Sequence, residues 1–288
     1  MIKWLILIGV ILGFCISEWM REIFTFKITH YKIVSEKLNT LTEEKKIVFL
    51  TDLHNNSYGK NNEKLLNAVK CQNPDLILIG GDMLIGKPEA DVKVAENFVC
   101  QLAEICSVYY ANGNHEQRMK IYPEKFGKKY QEYKTSIEQS GVQFLENEHV
   151  DFMFDTCPVQ IHGLEIPRGA YKKFRKTVVL LEQIEECLGK ADVSKYQILL
   201  AHNPIFADTY LEWGADLVLS GHLHGGVVRV PGVGGLITPQ FRLFPKYSGE
   251  LTVKDGKSVV VSKGLGTHTI KVRFLNPAEM IVLHLNGK

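Results

Sequence analysis

The stretch "LVLSGHLHGG", residues 217–226, joins a short apolar run to a cluster of histidine and glycine. An apolar run of this length that ends in glycine predicts a buried β-strand. His222 and His224 are two residues apart, and in extended chain such side chains point to the same side. We therefore expect both imidazoles to serve one site at the end of a strand, provided that other ligand-type residues occupy equivalent places.

Four other stretches repeat this pattern. Strands are predicted at residues 46–51, 76–79, 108–111 and 197–201, and each ends in polar residues. These polar residues are Asp52 and His54, then Asp82, then Asn114 and His115, then His202. Helical patterns lie between the strands, over residues 61–72, 89–105, 124–139 and 177–188.

The alternation of strands and helices predicts an α/β fold whose central strands are covered on both faces, because the strands are almost continuously apolar. In such folds ligands bind where the carboxyl ends of the strands emerge. We therefore expect one site to collect all five polar clusters.

Composition narrows the class of protein. The 288 residues are 45% hydrophobic and 23% charged, as in a globular protein with a large core. A net charge of +2, from 34 basic and 32 acidic residues, provides no general attraction for duplex nucleic acid, which we do not expect as a partner. The six cysteines form no CxxC pair and lie mostly in apolar runs, so we interpret them as free core thiols.

The N-terminus differs from this soluble pattern. Residues 4–17, "WLILIGVILGFCIS", carry no charge. As a helix they span about 21 Å, against about 30 Å for a hydrocarbon core, and flanking apolar residues extend the run. No A-x-A-like cleavage pattern follows, and the run lacks the polar face of an ordinary core helix. We predict a hydrophobic membrane-anchor segment over residues 1–26 and one catalytic domain over residues 27–288, localised to the membrane by a single pass.

The charges beside this segment favour one orientation slightly. Arg21, Lys27 and Lys32 follow it, whereas only Lys3 and the amino terminus precede it. By the positive-inside rule this difference favours a cytoplasmic catalytic domain. Free thiols favour the same side, because the cytosol is a reducing compartment in which disulfides are rare.

The collected side chains suit metal ions. Carboxylate, amide oxygen and imidazole are ligands for Mn²⁺, Fe or Zn²⁺. Their number exceeds what one tetrahedral zinc needs and suffices for two ions that share a bridging carboxylate. We therefore predict two divalent metal ions as cofactors. Such a pair supplies hydroxide at neutral pH and neutralises charge on phosphoryl oxygens.

The ordered series Asp52-x-His54, Gly81-Asp82, Gly113-Asn114-His115-Glu116, His202 and Gly221-His222-x-His224 resembles the calcineurin-like metallophosphoesterase superfamily. The later stretch "GGLITPQFRLFPKYSGEL", residues 234–251, looks like its membrane-associated bacterial phosphodiesterases of the YaeI and YkuE type. The resemblance implies a four-layer α/β/β/α sandwich of two mixed β-sheets.

The same resemblance implies roles for individual residues. One metal ion would be held by Asp52, His54 and His224, the other by Asn114, His202 and His222, and Asp82 would bridge them. His115 would lie beside the ions, where it hydrogen-bonds the phosphate or protonates the leaving oxygen. Glu116 would orient His115, the alternative being a solvated or helix-capping side chain.

These observations favour a membrane-anchored dinuclear phosphoesterase that hydrolyses a phosphodiester or a pyrophosphate by attack of a metal-bridging hydroxide. A lipid-linked substrate would suit the anchor. Alternatives are a cyclic-nucleotide phosphodiesterase or a nuclease and, in another class, a non-catalytic membrane sensor that binds metal and phospholipid. The complete ligand set with His115 favours the enzyme. The sequence does not determine the oligomeric state.

Some residues outside the motifs leave two interpretations open. We expect His30, His149 and His284 to be surface or sheet residues, whereas His162 and His268 fall in loop-like stretches that could approach the site. A basic segment is interpreted as a solvated helix face or as a rim for anionic lipid; it contains Arg168, Tyr171, Lys172, Lys173, Phe174 and Arg175. A later apolar set forms either a pocket or ordinary core; it contains Ile237, Phe241, Leu243 and Phe244.

Overall fold

The computed structural model describes residues 2–172, 177–226, 229–230, 234–235, 245–267, 273 and 275–288. Several residues singled out above lie outside these ranges, namely Lys173, Phe174, Arg175, Ile237, Phe241, Leu243, Phe244 and His268.

Most of the described strands belong to two mixed sheets. The strands are β1 Phe26–Val34, β2 Lys45–Leu50, β3 Leu76–Ile79, β4 Val108–Ala111, β5 Gln143–Leu145, β6 Glu148–Phe154, β7 Cys157–Leu164, β8 Tyr196–Ala201, β9 Leu217–Ser220, β10 Arg229–Val230, β11 Gly234–Gly235, β12 Leu251–Lys254, β13 Lys257–Val261 and β14 Ala278–Asn286. One sheet has the order β1-β14-β2-β3-β4-β5 and the other β12-β13-β9-β8-β7-β6, while β10 and β11 pair separately. Both large sheets combine parallel and antiparallel pairs.

The described helices mostly follow the strands. They are α1 Ile2–Phe24, α2 Glu63–Gln72, α3 Lys93–Leu102, α4 Asn114–Ile121, α5 Pro123–Phe126, α6 Lys129–Gln139, α7 Leu181–Leu188 and α8 Ala207–Trp213. A short 3₁₀ helix, Arg168–Tyr171, follows β7.

Alternation along the strands builds the layers. In β2, Ile47 and Phe49 face the core between the two sheets, whereas Val48 packs in a second core with α2, α3 and α6. In β8, Leu199 belongs to a third core, under α7 and α8. The structure therefore confirms the α/β/β/α sandwich.

The predicted elements are present with shifted ends. All five predicted strands form within one residue of the expected bounds. The helix predicted over residues 124–139 is wrong as one element, because Gly127 has φ of 60° and separates α5 from α6.

Helix α1 carries exposed apolar side chains along its length, among them Trp4, Ile8 and Leu12. Residues Lys3–Phe24 are long and apolar enough to cross a membrane, by criteria that a signal sequence or a core helix also meets. The helix ends at Phe24, and β1 starts at Phe26, one residue before the predicted start of the catalytic domain.

The expected sheet positions of His30, His149 and His284 are confirmed, in β1, β6 and β14. The loop placement of His162 is wrong, because it is buried in β7, where its Nε2 lies 2.8 Å from Gln197 Oε1. The cysteines are free thiols, but of the six only Cys157 is buried; Cys71 is exposed, and the others are partly exposed, namely Cys15, Cys100, Cys106 and Cys187.

Candidate metal centre

The residues predicted to bind metal lie just past the ends of parallel strands. Asp52 and His54 follow β2, Asp82 follows β3, Asn114 begins α4 after β4, His202 follows β8, and His222 and His224 follow β9. Because β2, β3 and β4 belong to one sheet and β8 and β9 to the other, the cluster lies at one end of the core between the sheets.

Their ligand atoms form three overlapping groups, in each of which they lie within 4.8 Å of one another. The groups are Asp52, His54 and His224; His54, Asp82 and His115; and Asp82, His202 and His222. Asp82 therefore shares one group with His54 and another with His202 and His222. Asn114 adjoins the cluster through the next residue, because the His115 N–H donates to Asp82 Oδ1 at 2.8 Å.

The ring nitrogens and carboxylate oxygens point toward one another. His54 Nε2 and His224 Nε2 are 3.1 Å apart, and His224 Nε2 is 3.3 Å from Asp52 Oδ1. On the other side, His202 Nε2 is 3.1 Å from Asp82 Oδ2. A cluster of this kind concentrates lone pairs in a buried space, which favours occupation by a cation.

The backbone at the cluster is in an uncommon conformation. Five of the proposed ligands have φ between 48° and 66°, in the left-handed region. They are Asp52, His54, Asp82, His222 and His224. For residues with a Cβ this region costs on the order of 1 kcal/mol or more each, and such strain concentrates at functional sites.

Two glycines are required by close approach. A Cβ on Gly113 would lie 2.2 Å from Asp82 Oδ1, and a Cβ on Gly221 would lie 2.1 Å from Asp52 Oδ2. Real Cβ atoms do not come this close to an oxygen, so a side chain at either position would displace a carboxylate of the cluster.

Surrounding groups fix the orientation of the ligands. The Thr51 hydroxyl and the His222 N–H donate to Asp52 Oδ2 at 2.9 and 3.0 Å. His202 Nδ1 is 2.7 Å from the Gly80 carbonyl oxygen, which places the proton on Nδ1 and leaves Nε2 as the ligand atom.

Two observations indicate that the cluster is suited to divalent cations. Asp82 Oδ2, Asn114 Oδ1 and His202 Nε2 are buried and have no hydrogen-bond partner in the described part of the chain. Burial lowers the pKa of His202, but the carboxylates of Asp82 and Asp52 raise it more strongly, so the electrostatic potential at this ring is negative. The protein therefore stabilises positive charge between two buried carboxylates, and a metal ion meets the same requirement.

His115 lies at the edge of the cluster, with 17% of its side chain exposed. The Gly86 N–H donates to its Nδ1 at 2.7 Å. A neutral imidazole with Nδ1 as acceptor carries its proton on Nε2, and this atom is 4.0 Å from Asp82 Oδ2. The ring can therefore donate a hydrogen bond into the site.

Glu116 has a different place from the one implied by the resemblance. It is fully buried, and its carboxylate accepts hydrogen bonds from the N–H groups of Asp82, Met83 and Gly113 and from the Tyr110 hydroxyl. In the described structure its hydrogen bonds therefore hold the backbone at Asp82 in place. His115 is positioned instead by the Gly86 N–H. The capping alternative describes it better, since it also caps α4.

We expect Glu116→Ala to lower the free energy of unfolding by about 3 kcal/mol, because it leaves buried N–H donors without an acceptor. Thermal or denaturant unfolding measures the change. Glu138→Ala is the control, since Glu138 on α6 is exposed and pairs only with Lys134 in the described structure; it should cost less than about 1 kcal/mol. Equal losses in the two variants would contradict this role of Glu116.

Two residues of the basic segment lie beside the cluster. The Tyr171 ring packs edge-on against the His222 ring, with centroids 5.1 Å apart. Arg168 Nη1 donates to the Asn114 carbonyl oxygen at 2.7 Å. For these two residues the interpretation as a solvated helix face is wrong, whereas Lys172 is exposed. The sequence signal was the density of basic and aromatic residues in this segment.

Two facing mixed sheets with a histidine and carboxylate cluster at their strand ends agree with the metallophosphoesterase fold and metal site expected from the sequence. The chain belongs to the calcineurin-like phosphoesterase family, whose family model matches residues 45–226. This match confirms the superfamily indicated by the sequence.

Individual relatives share most of the chain. The uncharacterized metallophosphoesterase Cj0846 of Campylobacter jejuni is 31% identical, over 91% of this chain and 64% of its own length, so this chain spans less than two thirds of that relative. YkuE of Bacillus subtilis is 24% identical, over 84% of this chain and 79% of its own. The UDP-2,3-diacylglucosamine pyrophosphatase LpxG of Chlamydia muridarum is 22% identical, over 83% of this chain and 82% of its own length.

Proposed function

We propose that the protein is a membrane-anchored dinuclear metal-dependent phosphoesterase that hydrolyses a phosphodiester or a pyrophosphate. One ion is assigned to Asp52, His54 and His224, the other to Asn114, His202 and His222, and the bridging position to Asp82. The observation that carries the proposal is the position of Asp82, which shares a group of closely spaced ligand atoms with each side of the cluster.

Two divalent ions held there would supply a hydroxide at neutral pH and would neutralise charge on the phosphoryl oxygens. The protein's own contribution is orientation. Gly80 fixes His202, and Thr51 with the His222 N–H fixes Asp52. These contacts keep the ligands in place before substrate arrives, which removes reorganisation from the reaction.

His115 has the role of a hydrogen-bond donor to a phosphoryl oxygen. With Nδ1 occupied by the Gly86 N–H, the ring presents Nε2–H to the site. Protonating a leaving oxygen would need an imidazolium, in which both nitrogens are donors and Nδ1 would oppose the Gly86 N–H. Burial also lowers the pKa of His115, which disfavours the imidazolium.

A phosphodiester or pyrophosphate is favoured over a nucleic acid as substrate. The net charge of +2 argues against a groove that follows a duplex backbone. Among the relatives, LpxG is named as a pyrophosphatase. A cyclic-nucleotide phosphodiesterase or a nuclease is the second candidate within the same chemistry.

The N-terminal helix supports a substrate at the membrane. Its last turn docks on the domain through Glu22, which is buried and accepts a hydrogen bond from the Asn276 N–H at 3.0 Å. Asn276 Nδ2 in turn donates to the His224 carbonyl oxygen at 2.6 Å. An anchor attached beside a proposed metal ligand would keep the site near the lipid surface, where a lipid-linked phosphate would lie.

We expect the full-length chain to remain with membranes after an alkaline carbonate wash, and a chain lacking residues 1–24 to be released into the soluble fraction. Ile8→Lys with Leu12→Lys should also release the protein, because each charge costs about 3 kcal/mol at the centre of a membrane helix. Fractionation and immunoblotting measure the distribution. Recovery of a full-length soluble protein, or of one shortened by cleavage after α1, would contradict the anchor.

Hydrolysis of bis-p-nitrophenyl phosphate tests the proposed reaction. We expect turnover with Mn²⁺, loss of turnover on chelation, and recovery when the metal is restored. A folded, metal-loaded protein that hydrolyses neither this diester nor a pyrophosphate would favour the alternative of a membrane sensor that binds metal and phospholipid.

A further inference from the structure

Arg168 is held rigidly at the edge of the candidate metal centre. Its side chain is half-buried, and Nη1 donates to the carbonyl oxygen of Asn114, a proposed ligand. The guanidinium carbon also lies 5.8 Å from the centre of the Tyr122 ring. A hydrogen bond to the first residue of α4 and an aromatic contact with Tyr122, which follows its last residue, therefore hold the guanidinium against this helix.

The short helix that carries Arg168 is fixed at its other end as well. Tyr171 contacts the rings of His222 and His202, with centroids 5.1 and 6.4 Å away. The Arg168–Tyr171 helix therefore touches residues assigned to the second metal ion from both of its ends, and its position relative to that ion is set by packing.

The charge of Arg168 has no carboxylate partner within ion-pair distance among the described residues. A guanidinium has five N–H donors, and the hydrogen bond to Asn114 uses one of them. A half-buried arginine of this kind is suited to bind an anionic group that arrives with the substrate.

We infer that Arg168 binds the second phosphoryl group of a diphosphate diester whose first phosphoryl group lies at the metal centre. This inference rests on the proposed function and specifies its substrate class. A simple phosphodiester carries one anionic group, which the metal ions and His115 would bind. The planar guanidinium of Arg168 is fixed beside Asn114, although the two residues are 54 positions apart in the chain. It provides a binding site for the other anionic group.

The reaction explains why a cation is useful there. Water supplies the oxygen that bonds to the attacked phosphorus, and the P–O bond to the bridging oxygen breaks. The electron pair of that bond stays with the second phosphoryl group, which leaves as a phosphomonoester with one more negative charge. Arg168 stabilises this developing charge. One proton of the attacking water passes to solvent, and the other stays on the oxygen that the water brings to the attacked phosphorus.

Calorimetric titration of AMP and ADP into the Mn²⁺-loaded full-length protein in detergent tests the inference. The two nucleotides share base and sugar and differ by one phosphate. We expect the wild-type protein to bind ADP at least about tenfold more tightly than AMP, since one charge-assisted contact can supply such a factor. Arg168→Gln should reduce the ratio of the two Kd values to about one, and Arg168→Lys should retain part of it, because lysine keeps the charge without the planar fork.

Arg118→Gln is the matched control. Arg118 is an exposed α4 residue whose guanidinium lies 5.7 Å from the Phe126 ring, and both arginines act electrostatically on His115. This variant should keep the wild-type ratio. Equal binding of ADP and AMP by the wild-type protein, or an equal loss of both in Arg168→Gln, would overturn the inference. Turnover of bis-p-nitrophenyl phosphate in the same preparations reports separately on the proposed function.

Discussion

Asp82→Asn should reduce metal-dependent hydrolysis of bis-p-nitrophenyl phosphate by roughly a thousandfold or more, because it removes the bridging charge on which a two-metal mechanism depends. The substitution preserves the shape of the side chain and the acceptor for the His115 N–H, which Asp82 Oδ1 now provides at 2.8 Å. It should also lower the number of metal ions bound per chain, measured by elemental analysis after dialysis.

Asp151→Asn is the control for this experiment. Asp151 lies in β6, and its side chain is 65% exposed, where it pairs with Lys195. We expect wild-type metal content and activity from this variant. If Asp82→Asn bound two ions and retained more than about a tenth of the activity, the bridging assignment would be wrong.

His115→Gln should lower kcat/KM by about 10²- to 10³-fold without loss of metal, the usual effect of removing one donor to a developing oxyanion. The hydrogen bond from the Gly86 N–H to Nδ1 leads to a sharper expectation. In the proposed role the ring donates to a phosphoryl oxygen and does not protonate the leaving group. The loss should then be similar for a nitrophenyl diester and for a diester with a less acidic alcohol.

A loss of kcat/KM that is much larger for the diester of the less acidic alcohol would contradict this role. It would favour general acid catalysis by His115. Parallel kinetics of both diesters with wild-type protein and with His115→Gln separate the two cases. His149→Gln, on the exposed face of β6, is the matched control and should leave both rates unchanged.

The convergence of the site could be predicted from the sequence because its determinants are local. Runs such as Leu76–Ile79 and Val108–Ala111 are continuously apolar and end in polar residues, so both the strands and their ends are visible in the chain. Parallel neighbours then bring those ends together. The presence of two sheets came only from the family resemblance, since β2 and β8 look alike as apolar runs.

What the sequence could not provide depends on long-range packing and on backbone conformation. The left-handed φ values at Asp52, Asp82 and His222 do not follow from residue type, because aspartate and histidine are enriched in this region but adopt ordinary conformations far more often. Arg168 reaches Asn114 across 54 residues of chain, and Glu116 reaches Asp82 across 34. Neither contact follows from spacing or periodicity.

Anomalous diffraction from crystals loaded with Mn²⁺ tests the central claim most directly. We expect two peaks about 3.5 to 4 Å apart, one among Asp52, His54 and His224 and the other among Asn114, His202 and His222, with Asp82 between them. A single peak, or peaks away from these side chains in a protein that hydrolyses phosphodiesters, would contradict the dinuclear centre.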